Sequence, residues 1–310
     1  MINQIKKKSS PVLLANLAML TTVVAWGTSF ISTKIAVAEI PPFTLAFIRF
    51  LVTSILLYTI VRVVEPETKL SRVSGLKVAA AGLIGISIYF CLENTGIKLT
   101  TASNASLITS VTPILSIALN MIFFKARLSG LEAIGVCIGL GGAYLTVTAN
   151  GHLDFSSDTF KGNLFMIGAM IAWAFYTVFS KHLQSMYSGL FLVTWQTIFA
   201  TILLLPMACV EYQEWHVFSM QALLQIIYLA VVCSGLGYFF YVYALKVLDV
   251  AITTLYLNLV PVIGVISGYF ILAESILPIQ MVGGVVIIFA IVIANLDKTL
   301  KLLKKSKSCT

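Results

Sequence analysis

Ten uninterrupted apolar runs, each close to twenty residues long, constrain this chain more than any other feature. They fall at about 13–33, 43–61, 78–97, 102–124, 131–149, 162–181, 189–210, 221–242, 251–273 and 278–296. A helix needs roughly 20 apolar residues to cross a bilayer core of about 30 Å. Within lipid its backbone polar groups must be satisfied internally. The runs are continuous rather than alternating, which excludes the strands of an outer-membrane barrel. Composition agrees: 59% of the 310 residues are hydrophobic and 10% charged, where a soluble domain carries about a quarter charged. The expected fold is all-α and integral to the membrane, with ten transmembrane helices. A soluble enzyme, a disordered module, a secreted disulfide scaffold and a nucleic-acid binder are excluded.

The net charge of +8 forms no groove or stripe; the basic residues sit between the runs, where they report orientation. With the N-terminus inside, sixteen of the twenty lysines and arginines are cytoplasmic, including Lys6, Lys7, Lys8, Lys125, Arg127 and the tail lysines from Lys298 to Lys307. Lys34, Lys98 and Lys161 lie outside, and Arg49 falls within a run. Both termini are therefore expected in the cytoplasm of a multi-pass cell-membrane protein, with the tail against anionic lipid. The first run is too long for the apolar region of a cleavable signal and recurs later in the chain, so it is read as a retained span. Cys91, Cys137, Cys209, Cys233 and Cys309 form no CxxC; they read as small buried hydrophobes. No metal or cofactor is expected.

The chain repeats itself. Asn16-Leu17-x-Met19 recurs as Asn163-Leu164-x-Met166, Ala25-Trp26 as Ala172-Trp173, and Lys34 as Lys181, at an offset of 147. Lys98 matches Lys246, Pro113 matches Pro261 and Gly135 matches Gly283, at an offset of 148. The expected units are 11–149 and 160–297, followed by a basic tail at 298–310. Five spans is an odd number, so the second unit enters the membrane inverted relative to the first. Inverted halves can exchange inward-open and outward-open shapes, and secondary transporters are built this way, with the site between the halves.

Short motifs in a fixed order carry a family resemblance. They are Ala25-Trp26-Gly27-x-x-Phe30, Phe47-x-Arg49-Phe50, Thr112-Pro113-Ile114, Ala172-Trp173-Ala174, Val260-Pro261-Val262 and Ala273-Glu274 with Gly283-Gly284 beyond. Over residues 11–297 the chain resembles the drug/metabolite transporter superfamily, and within it the EamA-type exporters. The resemblance implies a secondary transporter exporting small metabolites such as amino acids or related amphipathic compounds. A broad drug exporter or a metabolite importer is the alternative within transport. One departure stands out: where the family often has Gly-Glu after span four, this chain reads Lys125-Ala126-Arg127, whereas the second half keeps Glu274. That glutamate is then not essential chemistry in both halves.

Candidate solute contacts follow from polarity inside the spans. Arg49 and Glu93 are ionisable groups within apolar runs, where charge is costly and marks function. Both lie roughly two turns or less below the outer surface at about 1.5 Å rise per residue, so a pair between them is geometrically feasible. Such a pair either fixes helix packing or faces an outer cavity. Their repeat mates, Gln196 and Tyr241, are neutral. Glu93 is the residue for any proton coupling. Asn104, Tyr256 and Asn258 are bulky polar groups on spans four and nine, among hydroxyl residues that suit close helix packing. Trp26, Tyr89 and Trp173 offer an aromatic lining. Pro113 and Pro261, mid-span, are expected to kink the helices and free the carbonyls of Thr109 and Leu257. Gly135-x-x-x-Gly139 reads as intramolecular packing in preference to a dimer face, so a monomer or weak dimer is expected.

The rival classes lack their parts. A membrane-embedded enzyme needs clustered His, Asp or Glu at depth, but His152, His182 and His216 are scattered in or beside loops and form no HExxH. A receptor or scaffold needs a binding domain, which these short loops cannot build. No Walker A motif is present to drive transport by nucleotide hydrolysis.

Overall fold

The structure, a computed structural model, describes residues 2–124, 129–147, 156–248, 253 and 256–307. Among the described residues every regular element is helical. Helix α1 spans Ile2–Ala36 and α2 Pro42–Val64. Proline opens α2, where its missing N–H is no loss, and Glu211 caps the next two amides, accepting from Phe43 N at 3.1 Å and Thr44 N at 2.7 Å. Ser71 caps α3, Arg72–Gly82, which passes through a π-helix at Leu83–Ile88 into α4, Tyr89–Leu99. Next come α5, Ala102–Thr109, α6, Thr112–Phe124, and α7, Gly130–Val147. Then follow α8, Asp158–Leu183, α9, Gly189–Val210, and α10, Met220–Ile227. A second π-helix, Tyr228–Leu236, leads to α11, Gly237–Val247, and the last elements are α12, Val260–Leu272, and α13, Pro278–Lys307.

Among the described residues, five segments are long and apolar enough to cross a membrane: Pro11–Ala36, Pro42–Val64, Ser74–Leu99, Gly189–Val210 and Met220–Leu245. Gly130–Thr146, Val260–Leu272 and Pro278–Ala290 are shorter apolar helices. Large hydrophobic side chains such as Leu13, Ile55, Ile202 and Phe270 face outward. That suits a protein whose solvent is lipid. Cys91 and Cys233 are buried as expected, but Cys137 and Cys209 are exposed. In a membrane helix the outward face is apolar too, so an apolar neighbourhood in sequence does not tell which way a thiol points.

The expected proline kinks are breaks instead. Span four is interrupted by a turn at Ser110–Val111, and a matching turn at Asn258–Leu259 precedes α12. Pro261 stands in the first turn of α12, where no amide donor is required. Pro113 is the second residue of α6; its side chain lies outside the described residues. The carbonyl of Thr109 is not left open, since Thr112 Oγ1 donates to it at 2.7 Å. Lys125, Ala126 and Arg127, the loop through 148–155 and residues 249–252 lie outside the described residues.

Packing joins the two halves of the sequence. Helix α2 lies along α9, with Ser54 Oγ and Thr201 Oγ1 bonded at 2.9 Å. Helix α4 lies along α8, α1 along α11 and α12, and α5 between α8 and α12. The largest apolar cluster gathers Ile31, Ile40, Leu45, Ile97, Ile108 and Met166 at one end of the bundle. At its margin α7 packs closely along α13. A Cβ at Gly142 would come 2.9 Å from the Gly283 carbonyl oxygen. Gly139, Gly142 and Gly283 thus serve contact within the chain.

Candidate functional site

Both helix breaks and the second π-helix meet at one place. There the bundle encloses a cavity of about 230 Å³ lined by residues from both halves. Trp26, Ser29 and Phe30 come from α1, Arg49 from α2, and Tyr89, Phe90 and Glu93 from α4. The first break supplies Thr109, Ser110 and Thr112; the second supplies Leu257, Asn258, Val260 and Pro261. Met170, Trp173, Cys233, Tyr238 and Ile288 complete the wall.

Arg49 is 5% exposed and Glu93 6%, yet they form no ion pair: the salt bridge among the described residues is Lys161 to Asp158, on the surface. Arg49 Nε donates to Ser234 Oγ at 2.9 Å, and its guanidinium lies 4.5 Å from the Phe90 ring centre and 5.3 Å from that of Phe50. Planar stacking on aromatic faces suits guanidinium. Glu93 Oε1 accepts from Tyr89 OH at 2.6 Å. Each charge is held by neutral neighbours and faces the same cavity. The π-helix at Tyr228–Leu236 makes part of this possible. A π-turn offsets the backbone bonding pattern and exposes carbonyls; here the Cys233 carbonyl accepts from Trp26 Nε1 at 2.8 Å while Ser234 reaches Arg49.

The aromatic residues form two groups of touching rings. Tyr89 meets Trp173 at 5.1 Å between ring centres, Trp173 meets Tyr176 at 5.0 Å, and Trp26 meets Tyr238 at 5.7 Å. These tilted and edge contacts are the favoured arrangements for aromatic pairs.

Of the residues expected from sequence, the cavity brings together Trp26, Arg49, Tyr89, Glu93, Trp173, Asn258 and Pro261. Four others stand elsewhere. Asn104 donates from Nδ2 to Asn163 Oδ1, and its amide donates to Thr101 Oγ1, the cap of α5. Gln196 accepts from Tyr176 OH at 2.9 Å and donates to Ser180 Oγ at 3.2 Å. Tyr256 OH donates to Asn16 Oδ1 at 2.8 Å, and Tyr241 packs against Trp26 at 5.5 Å between ring centres. They back the site or tie helices together rather than line it. Sequence reasoning passed over Phe90, Met170 and Cys233 as lining residues and Ser234 as the partner of Arg49. Only the π-helices, which leave no sequence signal, turn Cys233 and Ser234 inward.

An apolar helical bundle around a buried cavity with two unpaired charges and an aromatic wall is the build of a membrane transporter. The chain belongs to the EamA-like transporter family, whose model matches residues 13–148 and again 160–296. It is 28% identical to an uncharacterised transporter of Archaeoglobus fulgidus, over 88% of this chain and 94% of that one. It is 25% identical to a "probable terminal-alkyne amino-acid exporter" of Streptantibioticus cattleyicolor, over 90% of this chain and 92% of the relative. A "probable amino-acid metabolite efflux pump" of Escherichia coli strain K12 is also 25% identical, over 86% and 90%. One crystal structure superposes with a TM-score of 0.63 at 17% identity, over 91% of this chain and 97% of that chain. At that identity it speaks for the fold alone.

Proposed function

We propose that this protein is a secondary transporter that exports amino acids or closely related amphipathic metabolites by alternating access. The observation that carries the reading is the separation of Arg49 and Glu93 within one cavity. Two opposite charges taken out of water and not paired with each other are costly. A zwitterion, with its carboxylate toward Arg49 and its ammonium toward Glu93, compensates both at once. An organic cation compensates only Glu93, and an organic anion only Arg49. The aromatic wall suits the apolar remainder of such a solute, and the names of two relatives point the same way.

In this reading the ten apolar runs are ten spans, arranged as two inverted five-helix repeats with both termini in the cytoplasm. Support comes from the double match of one family model. The two π-helices fall at related places in the halves, as do the two helix breaks. Ser54 and Thr201, bonded across the halves, are themselves repeat mates at an offset of 147.

Counterflow in proteoliposomes tests the function. Vesicles loaded with unlabelled amino acids should take up labelled amino acid transiently, while loading with nucleosides or cationic dyes should not drive uptake. Exchange of the dyes alone would replace this reading with a drug exporter. No exchange by correctly folded protein would overturn carriage of all these classes.

A further inference from the structure

Polar contacts cap the bundle beyond Phe30 and Glu93. At one end five helices are tied together by polar groups. Lys34, at the end of α1, donates from Nζ to the carbonyls of Ile97 and Lys98 at 2.8 and 3.1 Å, and also to that of Thr100. These are C-terminal carbonyls of α4, where a cation is favourably placed. Glu274, just beyond α12, caps the N-terminus of α5: it accepts from Ala102 N and Ser103 N, each at 2.8 Å, and from Ser103 Oγ at 2.6 Å. Asn163 Oδ1, on α8, accepts from Thr100 Oγ1 at 2.8 Å and from Asn104 Nδ2. Beneath this layer α5 lies hard against α12, where a Cβ at Gly264 would overlap Ser106 and one at Gly268 would overlap Ser103.

Lys34 and Asn163 have identical repeat mates, Lys181 and Asn16, but the other three polar groups have apolar ones. Glu274 corresponds to Ala126, Thr100 to Leu248 and Asn104 to Ile252. Asn16, the mate of Asn163, accepts from Tyr256 OH and ties α1 to the segment before α12.

We propose that Lys34, Asn163 and Glu274 form a polar clasp that holds the outer gate shut, with Glu274 at its centre, a position the first half fills with Ala126. This rests on the alternating-access reading and on its orientation. Opening outward must part Glu274 from the α5 amides and Lys34 from the α4 carbonyls. Both are charge-assisted hydrogen bonds, the strong kind.

Thiol labelling tests this without any transported solute, so its outcome is separate from that of counterflow. A Ser29→Cys reporter in the cavity is placed in a chain whose five native cysteines are alanine. A membrane-impermeant maleimide is then applied to right-side-out and inside-out vesicles. The intact clasp should give slow labelling from outside. Glu274→Gln and Lys34→Gln should each raise outside labelling roughly tenfold, the scale of one lost charge-assisted bond. Glu211→Gln, which loosens the cap on α2 at the same end but lies outside the clasp, should leave it unchanged. Unchanged outside labelling in both clasp variants, with cytoplasmic labelling intact, overturns the proposal. A comparable rise in Glu211→Gln overturns it too, because the loosening is then general. Should Glu274→Gln fail to accumulate, Lys34→Gln decides.

Discussion

Arg49 is a fixed charge in an apolar helix. Placing arginine at the centre of a membrane helix costs about 3 kcal/mol on insertion scales, and here that cost is met only in part, by one serine and two aromatic rings. If the solute carboxylate completes the shell, Arg49→Gln should weaken amino-acid exchange by tenfold or more, read as the half-saturating concentration in counterflow. Wild-type affinity would remove Arg49 from the site. Ser234 orients the guanidinium without facing the solute itself. Ser234→Ala is therefore expected to raise the half-saturating concentration several-fold with little change in maximal rate, and Ser234→Thr to restore it. Glu93 carries a different prediction. Glu93→Gln should abolish accumulation against a gradient and leave downhill exchange, if a proton travels on that carboxylate; uphill transport at the wild-type rate would refute the coupling.

At the scale of elements, the margin formed by α7 and α13 depends on a backbone approach that only glycine permits. Gly142→Val places branched carbon against the Gly283 carbonyl. Overpacking of this kind costs roughly 1–3 kcal/mol and should lower the melting temperature in detergent. Gly141→Val adds its side chain to open space and should leave that temperature near the wild-type value. The elements also show what a sequence can carry. The apolar runs were legible because lipid demands their length, and Arg49 and Glu93 because a charge in such a run has no neutral explanation. The proline positions correctly marked the irregular backbone, but a kink and a break share one sequence signal. Facing was the harder matter. Asn104 and Tyr256 stand on spans that border the cavity, yet each turns to an asparagine on a neighbouring helix. That choice depends on which helices meet, and neither periodicity nor composition encodes it. Lys34 read as a loop charge and Glu274 as part of a motif because their partners are backbone groups of other helices, invisible in a string of side chains.

For the whole molecule, orientation is the property most directly open to measurement. Thr68→Cys and Gln213→Cys place reporters on exposed residues of loops that the charge distribution assigns to opposite sides. An impermeant thiol reagent added to intact cells should modify the second and not the first; the reverse pattern would invert the protein and move the clasp to the cytoplasmic face. One contact keeps its meaning either way. Ser54 and Thr201 hold hands with their own counterparts across the pseudo-twofold relation of the proposed halves. When inverted halves trade shapes, a point on the axis that relates them is carried onto itself. It has the same surroundings before and after, and so acts as a fulcrum. Changes there should slow or hasten the swing equally in both directions, altering the tempo of the carrier while leaving untouched which way it prefers to face.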